Sequence, residues 1–144
     1  PQTNNGDTIT FSGYKWVIKD SHEHHTGPGH NYFSGKKDNV FVDQKGSLHL
    51  KMTHKNGRWY CAEVRLLESL GYGTYSFYIH KNPAKLDKEM VLGFFTYDYE
   101  DSAANHREID IEFAKWSKEN DPNNSQFSIH ITQYPIRKKK CHNC

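Results

Sequence analysis

Three carboxylates occupy alternate positions in one short segment of the chain. Glu108, Asp110 and Glu112 are interleaved with apolar residues. Successive side chains of a β-strand point to opposite faces, so this spacing puts the three acids on one face. Like charges lined up on one face repel one another and cost stability. Because a strand selected only for packing would avoid that cost, the pattern indicates a functional site.

The spacing of these acids suits the hydrolysis of glycosidic bonds. Glycosidases use two carboxyl groups that flank the bond, and retaining enzymes hold them about 5–5.5 Å apart. Residues i and i+4 of a strand lie roughly 13 Å apart at Cα. Two glutamates that lean toward each other would close that gap, so Glu108 and Glu112 are the predicted working pair. Asp110 could hydrogen-bond Glu108 and raise the proton affinity of its neighbours. The alternative is an exposed acidic face on an edge strand.

The elements that must position these acids also show a period of two, which predicts an all-β chain. No segment predicts a long amphipathic helix, although residues 85–90 could hold one turn. Asn56-Gly57 is the strongest short signal for a hairpin. Strands are predicted at residues 8–11, 16–18, 39–42, 48–52, 59–66, 74–79, 91–97, 109–113 and 127–131. Many short strands at roughly ten-residue spacing predict an antiparallel β-sandwich or barrel.

Composition narrows the possible partners. The 144 residues include 9 Tyr, 8 Phe and 3 Trp, which suits a sandwich with an aromatic-rich groove and argues against disorder. A net charge of +2 predicts neither a nucleic-acid nor a membrane partner. No apolar run is long enough to span a membrane, and the first residues look like a mature end without a signal peptide. Three cysteines leave at least one thiol unpaired within a monomer.

The run 106–113, His-Arg-Glu-Ile-Asp-Ile-Glu-Phe, resembles the active-site strand of glycoside hydrolase family 16. That family includes lichenases, laminarinases, agarases and carrageenases, and its signature is Glu-x-Asp-x-Glu. Shorter segments resemble the family in the same order along the chain, at residues 31–33, 61–65, 71–75, 94–97 and 126–127.

The resemblance implies a fold, an activity and a set of site residues. The implied fold is a concanavalin A-like jelly roll, and the implied activity is endo-acting, retaining hydrolysis of a β-glucan-like polysaccharide. Glu108 would be the nucleophile and Glu112 the general acid/base, with Asp110 assisting. His106 replaces a family tryptophan that stacks on sugar, and Ser128 and His130 replace an asparagine and a tyrosine. The implied substrate-binding residues are Asn31, Glu63, Arg65, Phe95, Tyr97, His106, Ser128 and His130.

The resemblance also predicts how much of a family domain this chain represents. Residues 1–135 would be the N-terminal portion of a longer family domain, and residues 136–144 would be a basic tail. A jelly roll that is incomplete in this way is expected to expose sheet edges and core-facing apolar side chains.

The remaining expectations concern partners and rival functions. The predicted partner is a polysaccharide, and the chain is expected to be a monomer, secreted or at the cell surface, without cofactor or metal. The histidine-rich loop 22–30 and the pair Cys141 and Cys144 could bind a metal, but a surface loop and a free tail are favoured. The rival functions are a catalytically silent, lectin-like carbohydrate-binding module and an inactive fragment of the enzyme.

Overall fold

The computed structural model describes residues 6–101, 106–118, 120–130 and 137–142. The chain divides into two compact units, Pro1–Thr74 and Tyr75–Cys144. The described residues of both units form β-strands, with a single 3₁₀ turn and no α-helix among them. The predicted all-β class, built from antiparallel sheets, is therefore confirmed. The more specific jelly-roll arrangement stays a prediction, as does the domain boundary at residue 135.

The described residues of the first unit form eight short strands in three sheets. They are β1 (Thr8–Phe11), β2 (Tyr14–Ile18), β3 (Tyr32–Phe33), β4 (Val40–Val42), β5 (Leu48–Leu50), β6 (Thr53–Lys55), β7 (Arg58–Cys61) and β8 (Val64–Leu66). The sheets have the orders β1-β2-β8, β3-β7-β6 and β4-β5. All pairings are antiparallel except β3 with β7.

Two tight hairpins fix the register of two strand pairs in this unit, β1 with β2 and β6 with β7. Asn56 and Gly57 join β6 to β7 with φ values of 52° and 75°, and Ser12 and Gly13 join β1 to β2 with φ values of 52° and 82°. Positive φ at both central residues matches the right-handed twist of the flanking strands, and asparagine and glycine tolerate it best. The predicted Asn-Gly hairpin is therefore confirmed.

The core of the first unit combines apolar and polar side chains. Val17, Phe33 and Val40 are buried. The buried Asn39 joins separate segments, because its Nδ2 donates to the carbonyl oxygens of Lys51 and Tyr60 at 3.0 and 3.2 Å. Buried amides are tolerated when they are hydrogen-bonded in this way.

The second unit contains one four-stranded antiparallel sheet. Its strands are β9 (Val91–Thr96), β10 (Ile109–Ala114), β11 (Asn123–Ile129) and β12 (Arg137–His142), in the order β12-β11-β10-β9. The 3₁₀ turn Pro83–Lys85 precedes them, capped by the Asn82 side chain, which accepts from the Ala84 N–H.

Two sequence expectations for this unit are wrong. Residues 74–79 form no strand, although their aromatic alternation predicted one; Phe77 instead packs on Phe94 with ring centroids 4.7 Å apart. The segment expected to be a basic tail contains β12, which pairs with β11 over six residue pairs. Within the tail, Cys141 is disulfide-bonded and Cys144 lies outside the described residues, whereas Cys61 is a free thiol.

The polar face of this sheet is more buried than its apolar face. On the face of the acids, Asp110, Gln126 and Ser128 are buried, and Ser128 is only 1% exposed. The apolar face is open, and its exposed side chains are Ile109, Ile111, Phe127 and Ile129, between 37% and 50% accessible. This exposure agrees with the expectation of uncovered apolar side chains.

Candidate active site

Strand β10 presents the acids to the neighbouring strands in a fixed register. Asp110 lies between Phe95 of β9 and Ser128 of β11. Glu112 lies between Gly93 and Gln126. Glu108 immediately precedes the strand, and its carbonyl oxygen accepts from the His130 N–H at 3.0 Å, which extends the ladder by one more bond. Glu108 is thus held by the same backbone pairing as the other two acids.

Asp110 is the buried centre of a hydrogen-bonded group. The His130 ring lies with Nε2 2.8 Å from Asp110 Oδ2, and one polar side-chain atom each of Glu108, Asp110 and His130 lie within 4.8 Å of one another. Burial raises the pKa of Glu108, and the negative charge of Asp110 raises it further. The positive charges of His130 and His106 oppose that rise in the Glu108 pKa.

Glu112 has a different environment from Glu108. The Gln126 side-chain amide donates to Glu112 Oε2 at 2.5 Å, and Gln126 itself is buried. The other neighbour, Gly93, has no side chain, and a Cβ placed there would lie 4.0 Å from Glu112 Cγ. One oxygen of Glu112 is therefore fixed by an amide, while glycine leaves the β9 side of the carboxylate uncrowded.

Aromatic rings flank the Glu108 end of the strand. The rings of Tyr97 and His106 stack with centroids 4.4 Å apart and an interplanar angle of 14°, and Tyr99 meets Tyr97 edge-on at 4.7 Å. Burial and the charge of Glu108 raise the pKa of the Tyr97 hydroxyl, so this pair lies within electrostatic reach of Glu108. Phe95 and Tyr97 are exposed. Such rings offer flat apolar faces with a polar edge.

The backbone at the entry to β10 is unusual. His106 and Arg107 have φ values of 56° and 51°, a left-handed conformation that non-glycine residues seldom adopt twice in succession. His106 is held there because its N–H donates to the Asp101 carbonyl oxygen, and its Nδ1 lies 2.8 Å from the Asp98 carbonyl oxygen. Backbone strain that is fixed by its surroundings is common at functional sites.

The other three predicted site residues belong to the first unit. The Asn31 side chain donates to the Pro28 carbonyl oxygen at 3.0 Å, and Arg65 lies in β8 opposite Val17. Glu63 Oε2 accepts from the Lys19 ammonium at 2.8 Å. The second unit brings together the remaining predicted residues, which are Phe95, Tyr97, His106, Glu108, Asp110, Glu112, Ser128 and His130.

Two partners of the predicted acids were not found by sequence reasoning. Gln126 holds Glu112, and the period of two would have revealed it, because Gln126, Ser128 and His130 share parity on one strand. Lys19 holds Glu63 across 44 residues of sequence. No local pattern marks a contact of that range.

Among the described residues, Glu108, Asp110 and His130 form one group that could hold a metal ion. Glu108, Asp110 and His130 each offer one ligand atom, and these atoms lie within 4.8 Å of one another. Carboxylate oxygen and imidazole nitrogen are ligands that Zn²⁺ accepts. The fully described loop 22–30 contains no such group, and its His25 and His30 rings stack with centroids 4.3 Å apart.

Comparison with known proteins adds no further assignment. No protein-family model, no curated protein and no solved structure matches the chain. The resemblance to glycoside hydrolase family 16 therefore stays a prediction from residues 31–130. Within the ranges that the structure describes, no helix has the length and apolarity that a membrane crossing requires.

Proposed function

We propose that the protein is an endo-acting, retaining glycoside hydrolase that cleaves a β-linked polysaccharide with Glu108 and Glu112. The observation that carries the proposal is the placement of these two glutamates on one face of the sheet. Burial and the charge of Asp110 raise the pKa of Glu108, and Gln126 donates to Glu112. Two carboxyl groups on one face are what acid/base and nucleophilic catalysis at one bond require.

The reaction follows a double displacement. Glu112 donates its proton to the glycosidic oxygen while the Glu108 carboxylate attacks the anomeric carbon, and the bond to the leaving sugar breaks. Glu112 is then a carboxylate and takes a proton from water, which attacks the glycosyl-enzyme ester and releases Glu108. Asp110 and His130 act on Glu108 through charge, since Asp110 favours its protonated form and His130 favours the ionised nucleophile.

Substrate contacts in this proposal come from the exposed rings beside the acids. Phe95 lies opposite Asp110 on β9, and the stacked rings of Tyr97 and His106 lie within reach of Glu108. Such rings pack against the C–H faces of pyranose units, so sugars on either side of the bond would bind them. The resemblance separately implies that Asn31, Glu63 and Arg65 of the first unit bind sugar hydroxyls. The proposal places the protein outside the cell or at its surface, where polysaccharide substrates occur, and takes it to be a monomer.

The test uses paired carboxamide variants. Glu108→Gln and Glu112→Gln should each abolish the release of reducing ends from laminarin, lichenan or xyloglucan, because each removes one of two obligatory groups. Glu100→Gln, an exposed acid of the same unit, is the matched control and should retain activity. The double displacement is tested by NMR, which should show that the first product retains the anomeric configuration of the substrate. Undiminished turnover by either site variant would refute the assignment.

The second candidate is a catalytically silent carbohydrate-binding module, which the exposed rings of Phe95 and Tyr97 also favour. It predicts saturable glycan binding with no release of reducing ends by the wild type. The third candidate, an inactive fragment, predicts a broad melt in place of a sharp cooperative transition.

A further inference from the structure

Glu108, Asp110 and His130 meet on one face of the second unit's sheet because of the strand register. Ile109 pairs with Ile129, so the next residues outward, Glu108 and His130, are opposite each other, and the His130 N–H donates to the Glu108 carbonyl oxygen at 3.0 Å. Asp110 lies two residues further along the chain from Glu108, on the same face. The backbone pairing therefore fixes the relative positions of a histidine and two acids that are up to 22 residues apart in the sequence.

The ligand atoms of this group are close to the spacing that zinc requires. Ligand atoms of a tetrahedral Zn²⁺ site lie about 3.4 Å from one another, because each is about 2.0–2.2 Å from the metal. His130 Nε2 and Asp110 Oδ2 are 2.8 Å apart, and one ligand atom from each of the three side chains lies within 4.8 Å of the others. Side-chain shifts of about 1.5 Å or less would therefore bring the three atoms into a zinc-binding arrangement.

The ligand types indicate which class of metal would bind. The neighbouring carboxylates of Glu108 and Asp110 repel each other, and a divalent cation between them would offset both charges. Imidazole nitrogen suits Zn²⁺, whereas Mg²⁺ requires octahedral oxygen ligands and Ca²⁺ takes about six to eight oxygens. Three protein ligands and one open position form the usual catalytic zinc site. One nitrogen and two carboxylates therefore favour Zn²⁺ over Mg²⁺ and Ca²⁺.

The group is open to solvent and separate from the second glutamate. The side chains of His130 and Asp110 are 26% and 12% exposed, and Glu108 is partly buried. An ion can therefore reach the ligand atoms without disruption of the sheet. The Glu112 carboxylate is held by the Gln126 amide instead. A metal bound to the group would thus occupy the nucleophile and leave the acid/base free.

We infer that Glu108, Asp110 and His130 bind Zn²⁺, and that the bound metal inhibits hydrolysis by withholding Glu108 from the anomeric carbon. The inhibition rests on the proposed function, whereas the metal site rests on the three ligands alone. Nucleophilic attack requires a Glu108 carboxylate that can form a bond to the sugar. Coordination to zinc neutralises that carboxylate and blocks its approach. Zn²⁺ is therefore an inhibitor of this enzyme and not its cofactor.

The experiment measures metal binding without any glycan. The full chain is freed of metal with a chelator, dialysed, and titrated with ZnCl₂ in competition with a chromophoric zinc chelator. Mg²⁺ and Ca²⁺ are added as competitors of zinc. The key variants are Glu108→Gln, Asp110→Asn and His130→Gln, and circular dichroism checks that each one folds. If the variant at the buried Asp110 unfolds, the variants at Glu108 and His130, which are less buried, decide the result.

Three control variants test whether zinc binds elsewhere. Glu112→Gln removes an acid on the same sheet face that lies outside the group. His25→Gln removes a ring of the histidine-rich loop, and Cys61→Ser removes the free thiol of the first unit. Since these side chains could each contribute a zinc ligand in isolation, unchanged affinity in all three variants would restrict the metal to the predicted group.

The inference predicts one Zn²⁺ per chain, bound at least about 100-fold more tightly than Mg²⁺ or Ca²⁺. Each key variant should weaken zinc binding about 100-fold, because it removes a ligand, and losing a group that merely orients a ligand already costs about 10- to 100-fold. The controls should keep the wild-type affinity. Zinc should inhibit hydrolysis by the wild type at the concentration that fills the site, and a chelator should restore the activity.

Three outcomes would overturn the metal site: no zinc binding by the wild type, equal affinity of the wild type and the key variants, and loss of binding in a control variant. Zinc that fills the site without inhibiting hydrolysis would overturn the inhibition, as would loss of activity on chelation. Hydrolysis without zinc binding refutes the metal site alone. Zinc binding that depends on the three ligands, in a chain that hydrolyses no glycan, refutes the hydrolase and its inhibition and keeps the metal site.

Discussion

The ion pair between Lys19 and Glu63 shows how the first unit holds a predicted sugar-binding carboxylate. The Lys19 ammonium donates to Glu63 Oε2 at 2.8 Å and to the Gly27 carbonyl oxygen at 2.6 Å. It also lies 4.2 Å from the centroid of the Phe33 ring. Lys19→Met keeps an unbranched side chain against Phe33 but removes the charge and both hydrogen bonds. The substitution therefore isolates the polar contribution of Lys19 to stability and to the position of Glu63.

The expected cost follows from burial. The side chains of Lys19 and Glu63 are 26% and 11% exposed. A hydrogen bond to a charged group contributes about 1.5–3 kcal/mol, and removing one partner of a fully buried pair costs about 3–5 kcal/mol. Because a quarter of Lys19 is open to solvent, the lower range applies, and Lys19→Met should lower the free energy of unfolding by about 2 kcal/mol. Glu63→Gln keeps an acceptor and should cost about 1 kcal/mol.

The assay is a double-mutant cycle measured by urea unfolding and tryptophan fluorescence. If the two side chains act as a pair, the double variant should lose about 1 kcal/mol less than the two single losses combined. Lys45→Met, at an exposed lysine, is the control and should change stability by no more than about 0.5 kcal/mol. A coupling energy below about 0.3 kcal/mol would refute the reasoning, because the pair would then be solvated and independent.

Three further substitutions test the second unit. Gln126→Leu removes the donor to Glu112 and should lower kcat by roughly 10- to 100-fold on glycans with poor leaving groups. The loss should be much smaller on aryl glycosides, because their leaving groups need little proton donation. Equal losses of kcat on both substrates would contradict this prediction. Asp110→Asn removes a charge that raises the pKa of Glu108, so the acid limb of kcat/KM should move to lower pH. His130→Gln removes a charge that lowers the Glu108 pKa, so the limb should move to higher pH; shifts in the same direction would contradict this reasoning.

Local patterns predicted much of this chain. The Asn56-Gly57 turn fixed one hairpin because its backbone requirement is met by two adjacent residues. The alternation of Glu108, Asp110 and Glu112 placed the acids on one face, and the structure pairs Asp110 and Glu112 with same-face neighbours on β9 and β11. These features depend on spacing within a few residues. A sequence displays such spacing directly.

The errors arose where pairing or burial depends on distant residues. Residues 74–79 alternate as a strand does, but a strand forms only where its backbone joins a ladder, and in the described structure these residues form no strand. The basic segment has no apolar alternation, yet backbone pairing with β11 makes it a strand. Phe127 and Ile129 form an apolar stripe that is exposed, because the sheet buries its polar face instead. Period two identifies faces but does not say which one is covered.

The buried polar face explains how β10 tolerates its repelling charges. His130 faces Asp110, and Gln126 donates to Glu112. These partners, on β11 and at its end, offset the repulsion between the carboxylates of β10. The sequence alone predicted the repulsion but not the partners. The resemblance implied that Ser128 and His130 bind sugar. Their position assigns them an additional role, since Ser128 is almost fully buried beside Asp110 and His130 is in contact with that acid. Under the proposed function, His130 at the end of β11 would change activity by altering Asp110 on β10. Loss of sugar affinity without a shift in the pH profile would identify a direct sugar contact, whereas a shift in the acid limb would identify action through Glu108.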